Sequence, residues 1–328
     1  MKYGKGSGGV FFIEFAEGQL VLKGSGTPAA ELFACKMARL LNIPAPECRV
    51  VDFSSTEWAD IKEVAKTLAR QKGELEKGKV RHAFNRPNVL VMEYVSGKDL
   101  YHLHPEVAKE MLSTSEGKEK LKGIGKLCVL DMVLNNWDRL PLIWDNDGNF
   151  GNIMFQDNGA VVGIDNVHLF FLFTLFFVHT KNFLLQGLCC IKKEIAGKPN
   201  KGYTNYFSNL KKFLTQLCAN PTVEHSELKR TREMLVMCGG ADFTEEGSLY
   251  IQYGVLVTSR QLFKLEMEAI VNLKEQVRKC VMQDWENVWA NDINSIDQEF
   301  IYNAVSQFKE LESEIEEAIQ VFESQFTK

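Results

Sequence analysis

Five polar residues, set apart by apolar stretches, are the first candidates for chemistry in this chain. They are Lys23, Glu31, Asp138, Asn152 and Asp165. Phosphoryl transfer from ATP needs a lysine against the α- and β-phosphates, a carboxylate that holds this lysine, and an aspartate that accepts the hydroxyl proton. It also needs an asparagine and a second aspartate to hold Mg²⁺. The order of the five residues supplies a candidate for each role, with ATP and Mg²⁺ as cofactors.

The segment 130–166 is the most specific part of this pattern. Its sequence is LDMVLNNWDRLPLIWDNDGNFGNIMFQDNGAVVGIDN. We expect a helix that ends in NNWDR, then an irregular loop, and then two short strands, GNIMF and AVVGIDN, joined by the turn QDNG. Asn152 lies at the start of the first strand, and Asp165 lies at the end of the second, 13 residues later. A hairpin would therefore aim both side chains at one metal ion.

Each of these residues also has a structural explanation when it is taken alone. Asp138 could pair with Arg139 or cap a turn, and Asn152 could be an ordinary turn residue. Asp165 could end a strand in a loop. The prediction of a site therefore depends on the combination and not on any single member.

A glycine-rich stretch near the amino terminus, GKGSGG at 4–9, could bind a nucleotide. Its candidate binding residues are Gly6, Ser7, Gly8 and Gly9. The stretch lacks the complete GxGxxG spacing, so on its own it is weak evidence. VFFIEF and LVLKG follow it at 10–15 and 20–24, and their pattern predicts two strands joined by a turn.

The next element must position a carboxylate near Lys23, which closes the second of these strands. Thr27 can cap a helix that has Pro28 at its first position, and this places Glu31 in the first helical turn. The helix should stop near Asn42, because a pair of prolines follows.

The rest of the chain changes from strand-rich to helix-rich. Two more strands are predicted at 48–53 and 88–95, with an exposed, charged helix at 56–80 between them. After Gly97 the pattern becomes mostly helical, which marks a lobe boundary with the linker SGKD at 96–99 as its hinge.

Apolar residues near the carboxyl terminus recur three and four positions apart, which predicts one packed amphipathic helix. They are Ile301, Ala304, Val305, Phe308, Leu311, Ile315, Ala318, Ile319 and Phe322.

Composition restricts the class of protein. The chain has 328 residues, 45% hydrophobic and 25% charged, which is ordinary globular usage and excludes a disordered or fibrous protein. The net charge of −5 offers no basic field to nucleic acid or to anionic membranes. Eight cysteines without CxxC spacing, and an amino terminus without a signal-peptide pattern, favour reduced thiols in the cytoplasm.

The apolar run VHLFFLFTLFFV at 167–178 has a composition found nowhere else in the chain. Its 12 residues are too few for a membrane span of about 20 residues. Two interpretations remain open for the atypical insert 167–186: a buried helix or strand, or translated intron sequence. The second is considered because codons for phenylalanine and leucine are T-rich, like the tract before a splice acceptor.

The chain resembles the catalytic domain of the actin-fragmin kinase family, whose members are atypical protein kinases. The resemblance rests on GSGGVFFIEF, VLKGSGTPAAELFA, NIPAPECRV and VLVMEYVSG, and most specifically on LNNWDRLP, GNFGNIMF and VVGIDN. It implies an α+β, two-lobed protein-kinase-like fold. A small antiparallel sheet lobe at 1–97 would bind ATP, and a larger, mostly helical lobe at 98–328 would carry the catalytic residues and bind the substrate.

The resemblance also implies roles for individual residues. Lys23 would contact ATP phosphates and pair with Glu31, and Glu93 with Tyr94 would offer hinge backbone to the adenine. Asp138 would be the catalytic base, and the two metal ligands would be Asn152 and Asp165.

Three departures separate the chain from ordinary protein kinases. No His-Arg precedes Asp138, Asn152 follows 14 residues later instead of about five, and GIDN replaces DFG. The family that the chain resembles shares these features, so they favour the atypical class.

The resemblance implies a Ser/Thr kinase that phosphorylates actin, best in a complex with a gelsolin-like severing protein; a similar domain of plant proteins modifies tubulin. Such a kinase would be cytoplasmic and associated with the cytoskeleton. Two alternatives stay open. One is an inactive kinase-like module that binds actin or its regulators, because the insert at 167–186 directly follows Asp165. The other is a lipid kinase, which the acidic net charge disfavours.

Overall fold

The computed structural model describes most of the chain. The described residues are 2–4, 10–15, 18–25, 27–52, 54–71, 88–144, 146–166, 202–240, 242–281 and 292–326. The candidate nucleotide-binding residues Gly6, Ser7, Gly8 and Gly9 lie outside them, as does the insert 167–186. The described part is α+β, with small antiparallel sheets and a majority of helix.

A five-stranded antiparallel sheet carries Lys23 at the end of its central strand. Its strands are β1 (Lys2–Gly4), β2 (Val10–Phe15), β3 (Gly18–Lys23), β4 (Cys48–Asp52) and β5 (Asn88–Glu93), in the order β1-β2-β3-β5-β4. The predicted hairpin of β2 and β3 is confirmed, with Val10 opposite Lys23. Phe11 and Ile13 are buried on one face of β2, as expected from the alternation of side chains along a strand.

Helix α1 (Pro28–Leu40) packs beside this sheet and carries Glu31 in its first turn. The helix begins at Pro28 as predicted, and the chain leaves it through Asn42, whose φ is +51°. The predicted cap is wrong in one respect. Thr27 occupies the position before the helix, but its side chain makes no capping hydrogen bond. The first amides of α1 are therefore satisfied by other groups.

A second, three-stranded antiparallel sheet follows the predicted hinge. It consists of β6 (Lys98–Asp99), β7 (Ile153–Phe155) and β8 (Val161–Gly163), and the predicted hairpin of β7 and β8 is confirmed. Half of the predicted linker SGKD is therefore strand. Gly97, just before β6, has a φ of +129°, and a Cβ atom there would overlap the carbonyl oxygen of Phe155. Glycine is required at this point by both the backbone conformation and the space.

Helices form most of the rest of the described chain. In the first part they are α2 (Thr56–Gln71), α3 (Pro105–Ser113) and α4 (Ser115–Leu134). Those after the gap at 167–201 are α5 (Gly202–Ala219), α6 (Ser226–Met237), α7 (Thr244–Phe263), α8 (Met267–Val281), α9 (Gln298–Lys309) and α10 (Glu312–Phe326). The main core lies around α4 and α7, which approach closely where Gly125 faces Gly254. The described residues include no helix with the length and apolar character needed to cross a membrane.

The prediction of one helix over 301–322 is wrong. Two helices, α9 and α10, meet at a turn in which the Leu311 amide donates to the Phe308 carbonyl. The Leu311 carbonyl also accepts the first hydrogen bond of α10, from the Ile315 amide. All nine predicted apolar residues are buried, including Leu311 at the junction. Because the buried face continues across the turn, the spacing alone could not reveal the break.

Candidate active site

Lys23 joins the two sheets through its ammonium group. Its Nζ lies 2.7 Å from Oε2 of Glu31 and forms a second ion pair with Oδ1 of Asp165. The lysine side chain is largely buried, and Glu31 is only 2% exposed. Residues that are 142 positions apart in sequence, Lys23 and Asp165, are thus in direct contact.

The Glu31 carboxylate uses both oxygens. Oε2 accepts from Lys23, and Oε1 accepts from the hydroxyl of Ser25. The Ser25 hydroxyl in turn accepts from the Thr27 amide at 3.0 Å, just before α1 begins. Ser25 is a site residue that sequence reasoning missed, and its place in the GSGT stretch between β3 and α1 was the available signal.

Electrostatics hold the Lys23 ammonium in its charged form. Burial lowers the pKa of Lys23, but the Glu31 and Asp165 carboxylates and their hydrogen bonds outweigh it and leave the pKa above its ordinary value. Burial raises the pKa of Glu31, against the charge of Lys23, and the neighbouring Asp165 raises it further. The lysine is therefore a fixed positive charge between two carboxyl groups.

Asp138 and Asn152 are linked by a hydrogen bond. Nδ2 of Asn152 donates to Oδ2 of Asp138 at 3.0 Å, so the amide oxygen of Asn152 points away from the aspartate. Burial raises the pKa of Asp138, as does the charge of Asp165, while hydrogen bonds from Asn149 and Asn152 oppose the rise. A carboxylate in such a setting is a stronger base than one in water.

The hairpin of β7 and β8 brings Asn152 and Asp165 together. Asn152 closes a short 3-10 turn, Phe150–Asn152, directly before β7, and its carbonyl accepts from the Ile164 amide at 3.0 Å. Asp165 follows β8 with a φ of +57°, a left-handed conformation that aspartate tolerates better than most residues. The backbone bond and the sharp turn therefore fix the two side chains at the same end of the hairpin.

Arg139 does not pair with Asp138, which excludes one of the structural explanations given above. Its guanidinium is completely buried and pairs with Asp131 on α4, and it also donates to Asn166 and to the Ile164 carbonyl. Burial raises the pKa of Asp131 to about 6, against the charge of Arg139.

The arrangement connects α4, the Asp138 loop and the residues around Asp165. Sequence reasoning missed this function of Arg139, because nothing local shows which carboxylate it reaches.

Glu93 and Tyr94 lie apart from the five polar residues, at the end of β5. The Glu93 amide donates to the Glu47 carbonyl at 2.8 Å. The Tyr94 ring packs edge-on against the ring of Phe12, with the ring centroids 5.8 Å apart. β5 pairs with β3, with Leu90 opposite Lys23. Glu93 lies opposite Leu20, three positions along β5 from the residue opposite Lys23, and Tyr94 follows directly after the strand.

The donor set of the hairpin fits a hard cation such as Mg²⁺. The amide oxygen of Asn152, turned away from Asp138, and the carboxylate of Asp165 are oxygen ligands of the kind that Mg²⁺ prefers. Lys23 places its positive charge directly beside the Asp165 carboxylate.

The site as a whole has the inventory of phosphoryl-transfer enzymes of the kinase class. A glutamate holds a lysine, an aspartate hydrogen-bonds to an asparagine, and a second aspartate lies beside the lysine. The family model of the actin-fragmin kinase catalytic domain matches residues 2–258, and the chain therefore belongs to this family.

Curated relatives agree with this assignment. Two proteins of Dictyostelium discoideum, both provisionally named actin-fragmin kinases, are each 26% identical over 302 and 291 residues, or 89% and 86% of this chain. The chain spans 63% and 64% of their lengths. A dual specificity protein phosphatase of Arabidopsis thaliana is 28% identical over 143 residues, which cover 39% of this chain and 14% of that protein.

Proposed function

We propose that the chain is an ATP-dependent protein Ser/Thr kinase with two lobes. Residues 1–97 would form the ATP-binding lobe, and residues 98–328 would carry the catalytic residues and bind the protein substrate. Membership of the actin-fragmin kinase family supports the kinase class. The contact of Lys23 with both Glu31 and Asp165 is the observation that carries the proposal, because it joins the first sheet to the candidate metal site.

In the proposed reaction, Asp138 accepts the proton of the substrate hydroxyl. Its partial burial and its raised pKa favour this role, since a base is most effective when its pKa approaches the working pH. The hydrogen bond from Asn152 fixes the carboxylate while leaving the asparagine oxygen for a metal ligand.

ATP and Mg²⁺ are the proposed cofactors. Asn152 and Asp165 would hold Mg²⁺, which neutralises phosphate charge when it is bound. Lys23, held by Glu31, would contact the α- and β-phosphates. Glu93 and Tyr94 at the end of β5 would contact the adenine through their backbone, and the residues Gly6, Ser7, Gly8 and Gly9 would cover the phosphates.

Actin is the proposed substrate, alone or bound to a gelsolin-like severing protein. The names of the Dictyostelium relatives support actin as the target. The resemblance to a domain in plant proteins makes tubulin the second substrate to test. A cytoplasmic location with association to the cytoskeleton follows from either substrate.

Transfer of labelled γ-phosphate from ATP tests this proposal directly. Actin monomer, actin bound to a gelsolin-like protein, and tubulin are each incubated with the chain and Mg²⁺. We expect phosphoserine or phosphothreonine on one of them, lost in Asp138→Asn and retained in Asp157→Asn, an exposed turn aspartate outside the site. MgATP binding without transfer to any of the three would instead favour an inactive module that binds actin or its regulators.

A further inference from the structure

A carboxylate from the far end of the chain lies at the start of α1. Oδ2 of Asp292 accepts from the Ala29 amide at 2.7 Å, across 263 positions of sequence, and the Ala30 amide also contacts this carboxylate. Asp292 is 3% exposed. Its other oxygen, Oδ1, has no hydrogen-bond partner among the described residues.

This contact replaces a local helix cap. The second and third residues of a helix have amides without partners inside the helix, and a side chain just before the helix normally satisfies them. In α1 these residues are Ala29 and Ala30, and Thr27 makes no side-chain cap. Asp292 supplies the acceptor that Thr27 does not.

The capped turn is the turn that carries Glu31. Ala30 immediately precedes Glu31, whose own amide donates to the Thr27 carbonyl at 3.1 Å. Unwinding at Ala29 would therefore move the Glu31 carboxylate away from Lys23, which lies 2.7 Å from it. The cap and the ion pair are parts of one arrangement.

We propose that Asp292 is a positioning residue for the Glu31–Lys23 pair, acting through its cap on the first turn of α1. This inference rests on the proposed kinase function. It adds to that function a residue from beyond the region that carries the resemblance, and so makes one residue of the carboxyl-terminal part of the chain part of the site.

Energetics argue that the carboxylate is not there for stability alone. Burial raises the pKa of Asp292 to about 7, more than the two amides lower it, and the charge of Glu31 raises it further. A buried carboxylate that lacks hydrogen bonds to one of its oxygens lowers the stability of the folded protein. Lys274 lies on α8, the helix packed against α1, but its ammonium donates to the Ile296 carbonyl at 2.7 Å instead of pairing with the Asp292 carboxylate. An asparagine side chain would accept from the same amides without burying a charge.

Steady-state kinetics on Asp292→Ala, Asp292→Asn and Glu31→Gln test the proposal. Asp297→Ala is the matched control, because Asp297 caps α9 by accepting from the Phe300 amide at 2.9 Å. We expect Asp292→Ala to lower kcat per folded molecule about 10- to 100-fold, since small misplacements of catalytic groups have effects of this size. Asp292→Asn keeps an acceptor and should stay within about threefold of the unaltered chain. Asp297→Ala should lower stability and leave kcat unchanged.

A double-mutant cycle separates positioning from a general structural effect. In the Glu31→Gln background, Asp292→Ala should lower kcat by less than about twofold, because its route through Glu31 is already lost. The proposal would be overturned if the loss of kcat in the double variant equalled the product of the losses in the two single variants. It would also be overturned if Asp292→Ala alone left kcat unchanged.

Amide hydrogen exchange tests the same contact without requiring catalysis. Asp292→Ala should speed exchange at Ala29, Ala30 and Glu31 by about tenfold or more, while Asp297→Ala leaves them unchanged. Unchanged exchange at these amides overturns the inference, whether or not the chain transfers phosphate. Faster exchange in a chain that shows no transfer would support the cap while rejecting the proposed kinase function.

Discussion

Nδ2 of Asn152 donates to Oδ2 of Asp138 at 3.0 Å, and this bond sets which atom of the asparagine is left for a metal. If the amide oxygen binds Mg²⁺, Asn152→Ala should raise the Mg²⁺ concentration for half-maximal activity about tenfold or more. Titration of activity with Mg²⁺ measures this shift. Asn158→Ala is the control, since Asn158 caps the exposed turn between β7 and β8 and accepts from the Ala160 amide. Equal Mg²⁺ requirements in the two variants would contradict the assignment.

Asp138→Asn should lower kcat by about 10²- to 10⁴-fold, the usual range for loss of a general base. Asparagine keeps the shape of the side chain, so MgATP affinity should stay within about threefold. Single-turnover phosphate transfer and equilibrium nucleotide binding give the two numbers. Asp157→Asn, in the exposed turn, should leave both as they were. A parallel loss of nucleotide binding and transfer would show that Asp138 organises the site instead of acting as a base.

Lys23 should resist acylation of its amine in the free protein. Only the neutral amine reacts. A rise of one unit in the pKa lowers the fraction of neutral amine about tenfold. Because the charges of Glu31 and Asp165 raise the pKa of Lys23 despite its burial, we expect labelling at least about tenfold slower than at the exposed Lys211. Mass spectrometry of timed reactions with an acylating reagent measures both rates. In Glu31→Gln the rate at Lys23 should increase, and an unchanged rate would show that Glu31 does not hold the ammonium.

Asp131→Ala should lower the free energy of unfolding by about 3–5 kcal/mol, because it leaves the buried guanidinium of Arg139 without its carboxylate. Urea denaturation at pH 7.5 measures the loss. The exposed pair of Arg260 and Glu316 provides the comparison, and Glu316→Ala should change the free energy by less than about 1 kcal/mol. Similar losses in the two variants would mean that burial does not decide the strength of these pairs.

Gly97→Ala should destabilise the chain more than Gly239→Ala does. Both glycines have positive φ, +129° and +84°, backbone conformations that cost a residue with a side chain about 1–3 kcal/mol. At Gly97 the added Cβ would also overlap the Phe155 carbonyl oxygen, whereas at Gly239 it meets no atom of the described residues within 4 Å. Thermal unfolding of the two variants gives the comparison. A larger loss in Gly239→Ala would contradict the close packing of Gly97 on β7.

Local features of this chain were predictable from sequence. The hairpin that carries Asn152 and Asp165 is short, and its strands and turn are neighbours, so alternation and turn residues sufficed. Lys23 and Glu31 are eight positions apart, across one strand end and one helix start, and their contact follows from those two elements.

Features decided by tertiary packing were not predictable. The partner of Arg139 is chosen by how α4 packs against the loop after it, and no spacing encodes this choice. The turn at Leu311 was hidden because the apolar face continues through it. A local cap at Thr27 was expected from residue type, but the acceptor comes from Asp292, which no pattern near α1 could indicate.

The bond between Ala29 and Asp292 also sets a minimum length for an excised catalytic unit. The family match ends at residue 258, after every candidate residue for chemistry. A fragment cut there would retain Lys23, Glu31, Asp138, Asn152 and Asp165, yet α1 would begin with two amides that have lost their acceptor. A boundary drawn at the end of the family match would therefore yield a shortened protein with a loosened first helix. The part of this chain that holds the first helix in place is longer than the part that the family model matches.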